Sequence, residues 1–173
     1  MSIPTIPVDG GRIAYRRLGS GRPLLVLNGL AATGADWDPS FIDGLAAASE
    51  LVLLDNRGIG ASSDHGAPFD IRQLADDTAR VIEALEFERA SVLGWSLGGF
   101  IAQTLALEHP ARIDRLILLS TDPGGAVAKL ASPTSGRDWP TCLAHRMSRL
   151  ADCFRSCFPP IWRNPFTKNS AAS

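Results

Sequence analysis

Two hydrophobic rhythms alternate along the first 120 residues. The runs PLLVLN (23–28), LVLLD (51–55), ASVLG (90–94) and DRLILLS (114–120) are short and mostly apolar. Such runs predict strands of a sheet covered on both faces. GRIAYRRL (11–18) alternates weakly after a Gly-Gly pair and predicts one strand of an opening hairpin. Between these runs the period lengthens. Over 70–87, Ile71, Leu74, Thr78, Val81, Ile82 and Leu85 fall on one helical face. Asp70 is placed to cap that helix, and Gln73 three residues on completes a capping-box pattern. Shorter helices are predicted over about 38–48 and 97–109, the second stopped by Pro110. Strands alternating with helices imply parallel βαβ units, an α/β class with helices on both faces of a mostly parallel sheet.

A chain of 173 residues with 45% apolar positions is long enough for one domain with a real core. Its net charge of -1 gives no basic surface for nucleic acid. The first residues, MSIPTIPVDGGR, carry no basic segment followed by an apolar run, and no stretch reaches membrane-spanning length. A cytoplasmic protein is the expectation. Composition then shifts along the chain. Residues 134–173 hold 6 Lys/Arg against 2 Asp/Glu, whereas residues 1–133 hold 11 against 16. All three cysteines, Cys142, Cys153 and Cys157, lie in the second piece, without a metal-ligand pattern, and read as free thiols.

Chemistry concentrates in Gly94-Trp95-Ser96-Leu97-Gly98-Gly99, between a predicted strand and a predicted helix. A serine on that turn is pushed outward, and glycines two before and two after it remove Cβ atoms that would strike neighbouring backbone. Gly94 and Gly98 therefore support the turn. The helix starting at Leu97 directs its N–H groups toward developing negative charge. Acyl transfer also needs two backbone donors for the oxyanion, one from the residue after the serine and one from another strand-to-helix loop. Leu97 and Leu30, in Asn28-Gly29-Leu30 after the 23–28 strand, are the natural pair. A third segment, Asp55-Asn56-Arg57-Gly58-Ile59-Gly60-Ala61-Ser62, reads as structural, with Arg57 and Asp55 pinning a loop beneath the site.

Taken together, residues 11–125 resemble an α/β-hydrolase, in the group of small esterases, enol-lactonases and cofactor-free haloperoxidase-like proteins. The resemblance rests on NGL, DNRGIGAS, GWSLGG and HPARIDRLILLS, each at the end of, or leading into, a predicted strand. It implies a serine hydrolase of a carboxylic ester or lactone, with Ser96 as nucleophile and the Leu30 and Leu97 amides as oxyanion donors. No cofactor or metal is implied. Most relatives carry His-Gly where this chain has Asn28-Gly29. The family also places an acid and then a histidine after the serine. His65, His109 and His145 match none of the base positions, and Asp122, ending the 114–120 strand, is the candidate acid.

The expected sheet is accordingly truncated after about the family's sixth strand, leaving LILLS as an apolar edge open to self-association. Residues 1–133 form a partial hydrolase domain and 134–173 an atypical tail, irregular or briefly helical. We read the tail as cap-region coding sequence in a shifted frame after loss of a base near Pro133. In the restored frame Trp139, Cys142, Cys153, Phe154, Cys157, Phe158, Trp162 and Phe166 all mark apolar codons. A genuine extension, with a helix broken at Pro159-Pro160, is the other reading. The intact form is expected to cleave a small-molecule ester or lactone, and this chain weakly or not at all. The alternative is an inactive truncated product, or a binding or assembly module completed by a partner chain.

Overall fold

The computed structural model describes residues 3–64, 66 and 68–123. The tail expectations, His65, His145 and the cysteines lie outside the described residues. Strands β1 (Thr5–Val8) and β2 (Gly11–Leu18) form the opening hairpin. Then follow β3 (Pro23–Leu27), α1 (Pro39–Ala46), β4 (Glu50–Leu54), a two-residue β5 (Ser63–Asp64) and α2 (Ile71–Ala84). β6 (Ala90–Trp95), α3 (Leu97–Glu108), a 3-10 turn (Pro110–Arg112) and β7 (Ile113–Leu119) complete the described chain. The sheet order is β1-β2-β4-β3-β6-β7, with β5 paired to β2. β4, β3, β6 and β7 run parallel, while β2 joins β4 antiparallel. Among the described residues no helix is long and apolar enough to cross a membrane.

The apolar runs make strands because their alternate residues feed two separate cores. Leu25, Leu27, Val52, Leu54 and Val92 pack with Leu74, Val81 and Ile82 of α2 and Ile101 and Leu105 of α3. Leu24, Val26, Leu51, Leu53 and Leu93 pack on the other face with Ile42 of α1, and with Trp37 and Leu119 at the margin. A one-residue slip of β3 would exchange its two sets of side chains between cores of different shape, so the register is tightly specified. Truncating a fully buried leucine such as Leu25 to alanine would cost about 2–5 kcal/mol.

Helix α2 follows its predicted stripe, with Leu74, Thr78, Val81 and Ile82 buried. Asp70 caps it by accepting from the Gln73 amide at 3.0 Å. The Gln73 side chain reaches Asp77 at 3.3 Å, so the capping box closes on one side only. Arg57 and Asp55 both pin the loop, as expected, each through its own partners. Arg57 grips Asp77 of α2 with two hydrogen bonds, Nε at 2.8 Å and Nη2 at 2.6 Å. It also donates to the carbonyls of Asp9 and Gly10 in the β1–β2 turn. Asp55 instead accepts from the Gly34 and Ala61 amides at 2.9 and 3.0 Å. The two acidic groups divide the work: Asp55 ties two loops beside the site, and Asp77 anchors the loop guanidinium to a helix.

At the far edge, β7 presents Leu116, Ile117 and Leu118 to solvent at 38–41% exposure, and among the described residues it ends the sheet. The expectation of an apolar edge at LILLS therefore holds for the described sheet.

The Arg57–Asp77 pair generates a stability prediction. Asp77→Ala leaves a buried guanidinium without its counter-charge and is expected to lower the unfolding free energy by about 3–5 kcal/mol, read by urea denaturation near neutral pH. Burial raises the Asp77 carboxyl above its ordinary 3.8, with the Arg57 hydrogen bond opposing. A pKa raised on folding gives stability that is complete below the unfolded value and lost as pH rises through the folded one. Wild type should thus lose stability relative to Asp77→Asn as pH rises above 3.8 toward and through the raised value.

Candidate active site

One residue, Ser96, joins β6 to α3, and it does so at φ 54° and ψ -114°. A non-glycine backbone in such a region costs about 1–3 kcal/mol and persists only where its surroundings over-determine it. They do so here. The Ser96 amide donates to the Leu119 carbonyl at 3.0 Å. Its carbonyl accepts from the Gly99 amide and from the Thr121 hydroxyl, each at 2.9 Å. The glycines are steric requirements. A Cβ on Gly94 would lie 2.3 Å from the Gly98 carbonyl oxygen, and one on Gly98 would lie 2.2 Å from that of Leu27. One on Gly99 would strike the Thr121 side chain at 2.4 Å. Strand, helix and the end of β3 approach more closely than any side chain permits. Ser96 sits at the N-cap of α3, yet its hydroxyl does not cap the helix. The half-buried hydroxyl is thus left at the positive end of a 12-residue helix.

The loop after β3 lies against this turn. A Cβ on Gly29 would be 3.5 Å from Ser96 Cβ and 3.0 Å from the Trp95 ring. The Gly29 carbonyl accepts from the Ala32 amide at 3.2 Å, and Ala31 turns the chain at φ 60°. Leu97, the first residue of α3, has no intrahelical acceptor for its amide. The hydrogen bonds that close the two segments use Ala32, Ser96 and Gly99 as donors, not Leu30 or Leu97. Leu30 is half-buried and packs on the core cluster that holds Leu97.

Asn28 holds this loop. Fully buried, it donates its side-chain amide to the Leu54 carbonyl and accepts from the Trp37 indole. Its own carbonyl accepts from Asn56 Nδ2 at 3.3 Å. Asn28 is therefore a three-way bracket between the end of β3, the end of β4 and the segment before α1.

Asp122 follows Thr121, and its carbonyl accepts from Gln103 Nε2 at 3.0 Å; the same nitrogen donates to the Gly99 carbonyl at 3.1 Å. The candidate acid is thereby tied to the rim that carries the serine. His109 is not. It stands at the C-terminal end of α3, about 20 Å along the helix from Ser96 at 1.5 Å per residue, and pairs with Asp76 at 2.7 Å. Sequence reasoning missed Thr121, Gln103 and the aromatic group of Trp37, Trp95 and Phe41. Only Gln103, four residues after Gly99 on the helix, left a local signal.

Comparison with known proteins places this geometry in context. A family model described as alpha/beta hydrolase fold matches residues 22–173. The pimeloyl-[acyl-carrier protein] methyl ester esterase of Aeromonas hydrophila is 34% identical over 112 residues, 64% of this chain and 42% of that protein. Among solved structures, an alpha/beta hydrolase fold protein from Chitinophaga pinensis superimposes with TM-score 0.66 at 37% identity, covering 71% of this chain and 45% of that one. The enol-lactonase of Burkholderia xenovorans LB400 gives TM-score 0.65 at 29% identity, covering 69% and 47%. The chain spans about two-fifths of the length of the curated relatives it matches.

Two glycine substitutions test the steric account of the turn. Gly98→Ala, whose Cβ would meet backbone at 2.2 Å, is expected to abolish cooperative unfolding or lower the thermal midpoint steeply. Gly44→Ala in α1 meets nothing within 4 Å, and should stabilise by about 0.5–1 kcal/mol through helix propensity. Thermal denaturation by circular dichroism reads both.

Proposed function

The chain belongs to the alpha/beta hydrolase fold family, and from that premise we propose that it carries the nucleophile and oxyanion half of a serine hydrolase acting on a small carboxylic ester or lactone. The observation that carries the reading is the Ser96 turn: a strained backbone that leaves its hydroxyl uncapped beside the Gly29 loop. In the proposed reaction Ser96 Oγ attacks the substrate carbonyl and its proton passes to a general base. Negative charge gathers on the former carbonyl oxygen, where the Leu30 and Leu97 amides and the α3 dipole meet it. Collapse of the tetrahedral adduct breaks the carbonyl–alkoxy bond, the leaving alkoxide takes up a proton, and an acyl-serine remains. Water then attacks that ester and returns Ser96.

The base must have a pKa near the working pH. Among the described residues the one histidine is His109, at the wrong end of α3. The base therefore comes from elsewhere, and Asp122 is the proposed acid. Where that base is absent, turnover should fall about 10²–10⁴-fold. The division at residue 133 into partial domain and frame-shifted tail belongs to the same proposal. Downstream gene sequence without hydrolase-like Asp and His codons in another frame would remove it.

The β7 edge favours a second reading, in which a partner strand completes the sheet. Its Leu116, Ile117 and Leu118 expose apolar surface on the strand that ends the sheet among the described residues.

Hydrolysis of p-nitrophenyl acetate tests the first reading: a rate above buffer that Ser96→Ala returns to background is expected, and equal rates for both proteins would overturn it. Gel filtration tests the second. A defined oligomer that dissociates in Ile117→Lys supports completion by a partner; a monomer rejects it.

A further inference from the structure

Beside the turn lies a cleft of about 120 Å³ lined by Ala32, Thr33, Asp36, Trp37, Asp38 and Trp95. Its inner walls are two indoles. Trp37 and Trp95 meet edge to face, with centroids 5.7 Å apart and planes at 63°. Trp37 is backed by Phe41, stacked at 5.5 Å and 18°. Two rings at that angle form a corner, in which a third ring can stack on one face while offering its edge to the other. The volume is of the right order for one six-membered ring, since an apolar cavity of about 150 Å³ holds benzene. Asn28 fixes the Trp37 indole from behind, and Trp95, 39% exposed, lies against the Gly29 loop and adjoins Ser96 in sequence. Gly29 thus approaches both the Trp95 ring of the corner and the Ser96 Cβ.

The outer rim is acidic. Asp36 accepts from the amide and hydroxyl of Thr33 at 2.7 and 2.9 Å. Asp38 caps α1 by accepting from the Phe41 amide at 3.0 Å and from the Ser40 hydroxyl. The Ser40 hydroxyl and the Phe41 amide hold the Asp38 carboxyl below its ordinary value, so it is ionised at neutral pH. Two exposed negative charges about a small aromatic corner repel a carboxylate and accept a neutral or cationic group.

Resting on the serine-hydrolase reading, we propose that Trp37 and Trp95 form the specificity subsite for this chain, that it receives one neutral or cationic aryl group of an ester, and that Asp36 and Asp38 exclude esters bearing a carboxylate there. Both indoles act as substrate-contacting residues, and Asn28 is a positioning residue for Trp37.

The test separates binding from turnover by using Ser96→Ala protein of the full chain. The four indole N–H signals are recorded by nitrogen–proton correlation NMR, with Trp37→Phe and Trp95→Phe assigning two of them. Benzyl alcohol, benzylammonium and benzoate are titrated separately. The expected result is that the first two shift the Trp37 and Trp95 signals, with benzoate binding at least about tenfold more weakly at low salt. Trp95→Ala should weaken benzyl alcohol about tenfold, the scale of an aromatic contact. Trp95 is partly exposed, so this variant keeps the fold; a retained far-ultraviolet dichroism spectrum checks that. Absence of shifts at those two signals, equal binding of benzoate, or unchanged binding in Trp95→Ala would each overturn the subsite. Shifts in Ser96→Ala without Ser96-dependent hydrolysis would uphold the subsite while the catalytic reading fails.

Discussion

Everything around the site depends on three backbones meeting at distances that exclude a Cβ atom. Gly94 faces the carbonyl of Gly98, and Gly98 faces that of Leu27, each so closely that an added carbon would lie within 2.3 Å of oxygen. This contact locks the end of β6, the start of α3 and the end of β3 into one rigid corner. The unfavourable φ of Ser96 is a consequence. With strand and helix held that close, a single residue must reverse the chain, and only a left-handed backbone does so. Its amide and carbonyl are satisfied by Leu119, Gly99 and Thr121, so the strain is not compounded by unpaired polar groups.

Rigidity at that corner spreads outward through polar brackets. Asn28 binds the Leu54 carbonyl, the Trp37 indole and, through its own carbonyl, Asn56. Asp55 holds the Gly34 and Ala61 amides. Arg57 joins the same loop to α2 and to the β1–β2 turn. These side chains are buried, and none of the buried side-chain nitrogen or oxygen atoms among the described residues lacks a partner. A buried polar network satisfied throughout stiffens what it connects, whereas a half-satisfied one would weaken it. The loop bearing Leu30 is thereby positioned by strand ends rather than by its own short sequence.

How far the sequence revealed this follows the range of each interaction. The strands at 23–27, 50–54 and 90–95 were legible because burial on both faces demands apolar residues in succession, while 113–119 was legible from its apolar run although most of it is exposed. The stripe of α2 was legible because one face meets the core. The turn at Ser96 was legible because its steric demands fall on neighbours two positions away. The two-residue strand Ser63–Asp64 was not, since nothing apolar marks it and serine hydroxyls on the Ala14 and Arg12 amides hold it. Asp77 was missed because a charge on an apolar stripe reads as a flaw until its partner, Arg57 in a distant loop, is seen. The aromatic corner was missed for the same reason: Trp37 and Trp95 belong to different elements and meet only in the fold.

The proposed machinery divides along the same physical line. A serine at a helix start and two outward amides are products of local chain geometry, so they can be complete within one βαβ core. A base must instead reach the hydroxyl from another part of the protein, as side chains contributed by separate elements do. Oxyanion stabilisation of this kind is preorganised and is worth about 10²–10³ in rate for each donor. General-base catalysis is a separate factor of about 10²–10⁴. Because the two factors arise from different structural sources, loss of one leaves the other in place. The proposed aryl subsite stands with the first group, since Asn28 holds the Trp37 indole and Trp95 lies against the Gly29 loop. The proposed binding of an aryl group and the proposed attack by Ser96 are therefore separable, and either proposal can stand when the other fails.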